Sequence, residues 1–236
     1  MFVVIVGGGK IGLNTARNLR HMGYEIVLVE QRKFRYESLL EEFEESIFKG
    51  DGTEVWVLEK VGIARADMIV AVTGDDEDNL IISQIAKFKY GVPKVVARVN
   101  NPYNQPTFDL LGVDATVCAT TALLSLIQHE LPAHKFVHLL TLKNENIDIV
   151  ELEVGETSPF AHKRVEEISL PDGVLLSAIM RHGTAVLARK SEEIVPGDYV
   201  LCLIEAGKAT ELIKIFLPEE SAEKVQEDAE LAGSGG

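Results

Sequence analysis

Residues 2–12 read FVVIVGGGKIG, an unbroken apolar, mostly β-branched run that passes at once into a cluster of glycines. Five apolar residues without polar alternation predict a strand covered on both faces, as in a parallel sheet flanked by helices. Gly7, Gly9 and Gly12 follow in the G-x-G-x-x-G spacing, and the helical pattern from Ile11 to His21 begins where the third glycine falls. Gly7 permits a tight turn, Gly9 leaves no Cβ between the backbone and a pyrophosphate, and Gly12 lets helix and strand pack closely. The helix start adds unpaired N–H groups and the positive end of its dipole.

The second apolar run, EIVLVE, ends on Glu30, eighteen residues past Gly12. A carboxylate there accepts hydrogen bonds from both ribose hydroxyls and repels a 2′-phosphate, which favours an unphosphorylated adenosine ribose. Arg32, two residues on, is a neighbour that suits an extra phosphate and tempers that preference. Two later loops follow strands and so face the same crevice. In KGDGTE (residues 49–54), Asp51 is placed either to meet the adenine amino group or to form a simple turn, with Thr53 capping the next helix. In VTGDDEDN (residues 72–79), Thr73 and Gly74 lie nearest the strand end and line the nucleotide, while Asp75, Asp76 and Asp78 suit a helix N-terminus.

Strands are expected at Phe2–Val6, Glu25–Val29, Glu45–Lys49, Met68–Ala71, Lys94–Arg98 and Ala115–Val117. Helices are expected at Ile11–His21, Lys33–Phe43, Thr53–Val61, Asp76–Tyr90, Pro102–Leu111 and Thr121–Glu130. This alternation is that of an α/β fold with a doubly wound parallel sheet. From Phe136 strands dominate: FVHLLTLK, IDIVELEV, VLLSAIMRHG turning at Gly183 into TAVLARK, and DYVLCLIEA after the Pro196–Asp198 turn. Helices there are limited to FAHKRVEEI and KATELIKIFL. The expected organisation is a nucleotide-binding domain with a terminal crossover helix over residues 1–135, a small α+β domain over 136–218, and an acidic, flexible tail over 219–236.

The 236 residues carry 23 basic and 37 acidic side chains, a net charge of -14, which disfavours nucleic acid and anionic membrane surfaces as partners. Two distant cysteines, Cys118 and Cys202, fit a reducing cytoplasm as buried thiols. The short apolar start lacks a preceding basic segment and is broken by glycine, so neither a signal peptide nor a membrane span is expected. A dehydrogenase needs a proton donor or acceptor near the nicotinamide, commonly His, Lys or Tyr. His134, His138, His162 and His182 show no spacing that pairs them with an acid or metal, so no catalytic residue and no metal ligand is nominated.

The motifs VIVGGGKIG, LVE, GDGTE, AVTGDDEDNL, VVARVNNP and LLGVDATV, followed by GVLLSAIMRHGTAVLARKSEEIVPGDYVLCLIEAG, resemble the domains that regulate the conductance of potassium (RCK, KTN or TrkA-type regulatory subunits). The resemblance runs from Phe2 to about Leu217. It implies a Rossmann-like first domain binding NAD, NADH, ATP, ADP or AMP, and a small regulatory second domain, the RCK-C domain. It also implies dimers closing into an octameric ring beneath a membrane potassium channel or transporter, with a cation-proton antiporter as the alternative partner. Such a subunit is cytoplasmic and peripheral to the inner membrane. An NAD-dependent oxidoreductase is the competing reading.

Carried onto this chain, the resemblance implies phosphate contacts from Gly7, Gly9, Lys10, Ile11 and Gly12, ribose at Glu30, adenine near Asp51, and Thr73 and Gly74 along the adenosine. Some relatives carry, at the position of Lys10, a basic residue that reaches the terminal ATP phosphate of a neighbouring subunit. Arg98 ends the fifth strand, placed either for a phosphate or for a carboxylate such as Asp76. Where some members have Pro-Glu after the sixth strand, for a divalent cation, this chain has Ala119 and Thr120. In the second domain Ala161–Arg164 and Arg181 offer positive charge for a small anion or a cyclic dinucleotide. The apolar residues Leu123, Leu124, Leu126, Ile127 and Leu131 fit a crossover helix packed on a partner subunit.

Overall fold

The computed structural model describes residues 1–129, 135–142 and 146–216. The chain divides into two compact units, Met1–Thr120 and Thr121–Gly236.

The first unit alternates β1 (Phe2–Val6), α1 (Lys10–His21), β2 (Glu25–Glu30), α2 (Lys33–Phe43), β3 (Ile47–Lys49), α3 (Val55–Lys60), β4 (Met68–Ala71), α4 (Asp76–Gln84), β5 (Lys94–Val99), α5 (Gln105–Leu110) and β6 (Ala115–Cys118). The strands form one sheet in the order β3-β2-β1-β4-β5-β6, and every pairing is parallel. Successive side chains of a strand point to opposite faces, and β1 feeds both. Val3 and Ile5 pack with Leu13 and Ala16 of α1 and Leu39 and Phe43 of α2. Phe2, Val4 and Val6 pack with Val57 and Leu58 of α3, Ile82 of α4 and Phe108 of α5. Burial on both faces explains the absence of polar alternation in β1.

Several boundaries differ from the sequence expectation, each for a local reason. Glu44 adopts φ +48, and a 3-10 turn over Glu44–Ser46 replaces the first half of the expected third strand. The helix expected over Thr53–Val61 starts at Val55, because Thr53 is held in a turn by Asp51. The expected Asp76–Tyr90 helix widens into a π-helical turn over Ile85–Lys89, which buries Ala86 and carries Lys87 to an ion pair with Asp114. A 3-10 turn over Pro102–Asn104 precedes α5.

Helix α6 (Ala119–His129) starts within the first unit and continues into the second. Beyond it lie β7 (Phe136–Leu142), β8 (Ile147–Glu153), β9 (Lys163–Arg164), β10 (Val174–Arg181), β11 (Thr184–Leu187), β12 (Glu193–Ile194), β13 (Tyr199–Glu205) and α7 (Ala209–Phe216). An antiparallel sheet runs β11-β10-β13-β8-β7, and β9 pairs with β12. Alternate residues Val200, Cys202 and Ile204 of β13 join Val150 and Leu152 of β8, with Leu212 and Phe216 of α7, in one core. The Phe160 and Phe216 rings lie 4.3 Å apart in it. Burial pushes the Cys202 thiol up to about 12, leaving it an inert apolar group at neutral pH.

The helix expected over FAHKRVEEI does not form. His162 takes φ +62, Lys163 and Arg164 pair with β12, and only a 3-10 turn, Val165–Glu167, follows. Arg181 is also committed. Its Nε and Nη2 each sit 2.7 Å from an oxygen of Asp198, and Nη2 donates to the Glu193 carbonyl. Asp198 is 1% exposed and accepts the Val195 N–H, closing the Pro196–Asp198 turn.

Burial pushes the Asp198 carboxyl up, but the Arg181 guanidinium and the Val195 N–H outweigh it and hold the group below its ordinary value. Its contribution to stability is therefore fully present above the unfolded value of about 3.9 and lost as pH falls through the lower folded value. Arg181→Met is expected to destabilise the protein by about 2–3 kcal/mol at pH 7, less than for a fully buried pair because the guanidinium is partly solvated. The deficit should hold from pH 7 down to about 4 and narrow as pH falls further. Denaturation of both proteins at several pH values measures it, and a deficit independent of pH would refute the electrostatic account.

Candidate functional site

The chain leaves β1 towards β2 and β3 on one side of the sheet, then returns to β4 on the other. The carboxyl ends of β1 and β4 therefore part at a topological switch point, where open α/β sheets hold their ligands. A crevice of about 320 Å³ opens there.

Its floor is the glycine loop. Gly7 adopts φ +113, and a Cβ on it would lie 2.7 Å from the Val72 carbonyl oxygen at the end of β4. A Cβ on Gly12 would fall 1.9 Å from the Gly7 carbonyl oxygen, so α1 rides directly over the loop. At Gly9 a Cβ would meet nothing within 4 Å. Gly9 is the N-cap of α1 and supplies no side-chain cap, which leaves the first N–H groups of the helix to other acceptors.

Glu30, 2% exposed at the end of β2, forms one wall. Its Oε2 accepts the Gly8 N–H at 3.0 Å, and its Oε1 accepts the Arg32 N–H at 2.8 Å. The Arg32 side chain adds Nε to Oε1 at 2.9 Å and Nη2 to Oε2 at 2.8 Å. Burial pushes the Glu30 carboxyl up, and these donors outweigh it, so the group stays below its ordinary value. Arg35 donates to the Gly8 carbonyl at 2.8 Å and fixes the loop from the side of α2.

The opposite wall is tied together by Asn79, which is fully buried. Asn79 Oδ1 accepts the Thr73 N–H at 2.8 Å, and its Nδ2 donates to the Arg98 carbonyl at 2.9 Å, linking the loop after β4 to the end of β5. The Thr73 hydroxyl lies 2.8 Å from the same Asn79 oxygen. Asp76 accepts N–H groups of Asn100 and Asn101 and side-chain amides of Asn100 and Asn104. Burial pushes its pKa up, and those four bonds outweigh it, so the carboxyl stays below its ordinary value. The alternative of an Asp76–Arg98 ion pair is thereby removed. Arg98 instead lines the crevice, and its buried Nε has no hydrogen-bond partner among the described residues.

Of the residues the sequence nominates, Gly7, Gly9, Glu30, Asp51, Thr73, Gly74 and Arg98 line this one crevice. Gly12 lies behind it as a packing contact, and Lys10 and Ile11 are exposed outside its lining. Asp51 both lines the crevice and forms the turn: its Oδ1 accepts the Thr53 N–H at 2.9 Å and the Thr53 hydroxyl at 2.7 Å, and Glu54, not Thr53, is the N-cap of α3. Sequence reasoning missed Gln31, Gly50, Gly52 and the structural part played by Asn79. It also left Asp78 as a helix-start acid. Asp78 lines the crevice, where burial and then the charges of Asp51, Asp75 and Glu77 raise its pKa.

An open parallel sheet with a glycine-loop crevice, followed by a separate antiparallel unit, defines a two-domain α/β protein of the dinucleotide-fold type. Residues 3–119 match the TrkA-N domain and residues 149–217 the TrkA-C domain. A Mycobacterium tuberculosis protein named Trk system potassium uptake protein TrkA is 31% identical over 220 residues, covering 92% of this chain and 99% of its own. A Methanothermobacter thermautotrophicus homologue of that name is 29% identical over 216 residues, with 92% and 99% covered. The chain belongs to the TrkA family. Among solved structures, the GsuK channel bound to NAD superposes with a TM-score of 0.58 at 21% identity, covering 92% of this chain and 40% of that one. The TrkA-N domain of the inner membrane protein ybaL from Escherichia coli gives 0.51 at 15% identity, covering 55% and 96%.

Gly12→Ala tests the close approach of helix and loop. The added methyl has to push α1 off the Gly7 carbonyl, at an expected cost of about 1–3 kcal/mol in chemical denaturation. A variant as stable as the parent would show that the spacing tolerates a side chain.

Proposed function

We propose that this protein is a non-catalytic regulatory subunit of a membrane potassium transporter or channel, and that an adenine nucleotide in the crevice of the first unit is its signal. The observation that carries the reading is the unpartnered, buried Nε of Arg98 in a crevice that also offers an open glycine loop and a ribose-type carboxylate. The residues fit the ligand. Gly7 and Gly9, with the start of α1, suit the phosphates, Glu30 the ribose and Asp51 the adenine amino group, with Thr73 and Gly74 along the adenosine. Arg98 supplies positive charge in an otherwise acidic wall. Lys10, exposed beside the loop, is suited to the terminal phosphate of a nucleotide held by a second subunit.

The titratable side chains lining the crevice are Glu30, Arg32, Asp51, Asp75, Asp78 and Arg98. No His, Lys, Tyr or Cys is among these lining residues, which supports a binding module over a nicotinamide-dependent oxidoreductase. The names of the relatives, potassium uptake proteins, support the partner class. No helix of the described residues is long and apolar enough to cross a membrane; in this reading the partner supplies the span and holds the subunit at the cytoplasmic face.

Self-association is part of the proposal. Leu123, Leu124, Leu126 and Ile127 of α6 are half or more exposed, which favours a covering partner copy and, through it, a dimer-based ring. Leu131 lies outside the described residues. With Arg181 consumed by Asp198, Lys163 and Arg164, both exposed, are what remains of the positive charge nominated for a second-domain anion site. A nucleotide shifts the ring only by its differential affinity for the two arrangements.

A thermal-shift titration with ATP, ADP, AMP, NAD and NADH tests the reading. A ligand that binds only the folded chain adds about 2.7 kcal/mol at a hundredfold excess over Kd. A rise in the midpoint with at least one of these, weakened in Arg98→Ala, is the expected result. No shift with any of them would overturn the nucleotide site, and oxidation of NADH on adding a ketone or aldehyde would overturn the non-catalytic assignment.

A further inference from the structure

Glu30 is the carboxylate that the proposed function assigns to ribose, yet its acceptor positions are already filled from within the chain. A carboxylate offers about four lone-pair sites. The Gly8 N–H and the Arg32 N–H take two of them, and Arg32 Nε and Nη2 take the others. The two backbone donors are fixed by the loop and by the entry to α2. The other two belong to one guanidinium that is 63% exposed, stands on the crevice lining and makes no other hydrogen bond among the described residues. The turn does not need that guanidinium, since the Arg32 N–H to Glu30 bond and the Tyr36 N–H to Arg32 carbonyl bond hold it through the backbone.

Resting on the nucleotide reading above, we propose that Arg32 is an internal stand-in for the ribose diol and thereby a specificity-determining residue. Its Nε–H and Nη2–H present two donors to the Glu30 carboxylate as a vicinal 2′,3′-diol would. Binding of a nucleotide is then an exchange of one two-pronged donor for another on Glu30, while the buried carboxylate is never left bare. A sugar without hydroxyls offers nothing in exchange, and the ion pair stays closed against it.

The exchange has a measurable size. A charge-assisted, two-point pair is at the strong end of such contacts, but one partner here is solvated, so it lowers the affinity of a diol-bearing nucleotide by about fivefold. Loss of the cation also weakens attraction for the phosphates, and that effect is common to any nucleoside diphosphate. The ratio between two ligands that differ only in the diol isolates the exchange.

The test is calorimetric titration of the full chain and its Arg32→Ala variant with ADP and with 2′,3′-dideoxy-ADP. The preference for ADP over the dideoxy analogue is expected to rise about fivefold in the variant, with Arg32→Lys, which lacks the fork, falling between the two. An unchanged ratio, with ADP still bound, would overturn the stand-in and leave the pair a structural one while the nucleotide site survives. Failure of ADP and of NAD to bind either protein would overturn the nucleotide reading, and the stand-in with it.

Discussion

Everything in the first unit hangs on how closely α1 approaches the end of β1. The Gly7 carbonyl sits where a Cβ on Gly12 would be, and the Val72 carbonyl presses on Gly7 from β4. Two strands and a helix therefore converge on a patch of bare backbone. Convergence of that kind aims the helix start at the space between the strands and leaves Gly9 facing open volume. The apolar packing of β1 against helices on both faces supplies the force that holds this arrangement, because Val3, Val4 and Ile5 are wholly removed from water. The crevice is what remains when side chains are excluded from the one place where they would fill it.

The carboxylates of the chain divide by how completely they are answered. Asp76 is wrapped by three asparagines and Asp198 by an arginine and a backbone N–H, and both are held ionised in the folded state. These are structural: each pins a loop between elements, Asp76 with four hydrogen bonds accepted and Asp198 out of a visitor's reach at 1% exposure. The pKa of Asp78 is raised by burial and by its acidic neighbours, and no ion pair among the described residues answers it. A wall that contains such a group resists more negative charge, which supports the proposed placing of phosphates at the glycine loop and of the nucleoside at the acidic side. Glu30 stands between the two classes, held ionised by two backbone donors and by one solvent-exposed guanidinium.

The sheet and the loop were legible in the sequence because their causes are local. A five-residue apolar run, three glycines and a terminal acid each act within a few residues of themselves, and β1, β4, α2 and the glycine crevice follow. What escaped depends on partners far along the chain. Asn79 reads as a polar residue on a helix, and its hub position arises only when the end of β5 comes within reach of its amide. Arg181 reads as an available cation until the turn seventeen residues later delivers Asp198 to it. The FAHKRVEEI segment has helical spacing, but the left-handed residue His162 and the pairing with β12 override it. Asp51 reads as either turn or ligand group, and the fold makes it a turn former that stands on the crevice lining.

A nucleotide sensor needs an affinity set to the range in which its ligand varies, and maximal complementarity would hold it saturated. An internal competitor at Glu30 lowers affinity without removing the groups that recognise the ligand, since apparent affinity scales with the fraction of molecules whose site is open. It also avoids the alternative cost. A carboxylate at 2% exposure left with its two backbone donors alone would be costly to keep ionised. In the proposed exchange the guanidinium satisfies the Glu30 charge when the site is empty and the diol satisfies it when the site is filled. The same two acceptor positions on Glu30 then serve both proposed states, and what changes is the donor that fills them.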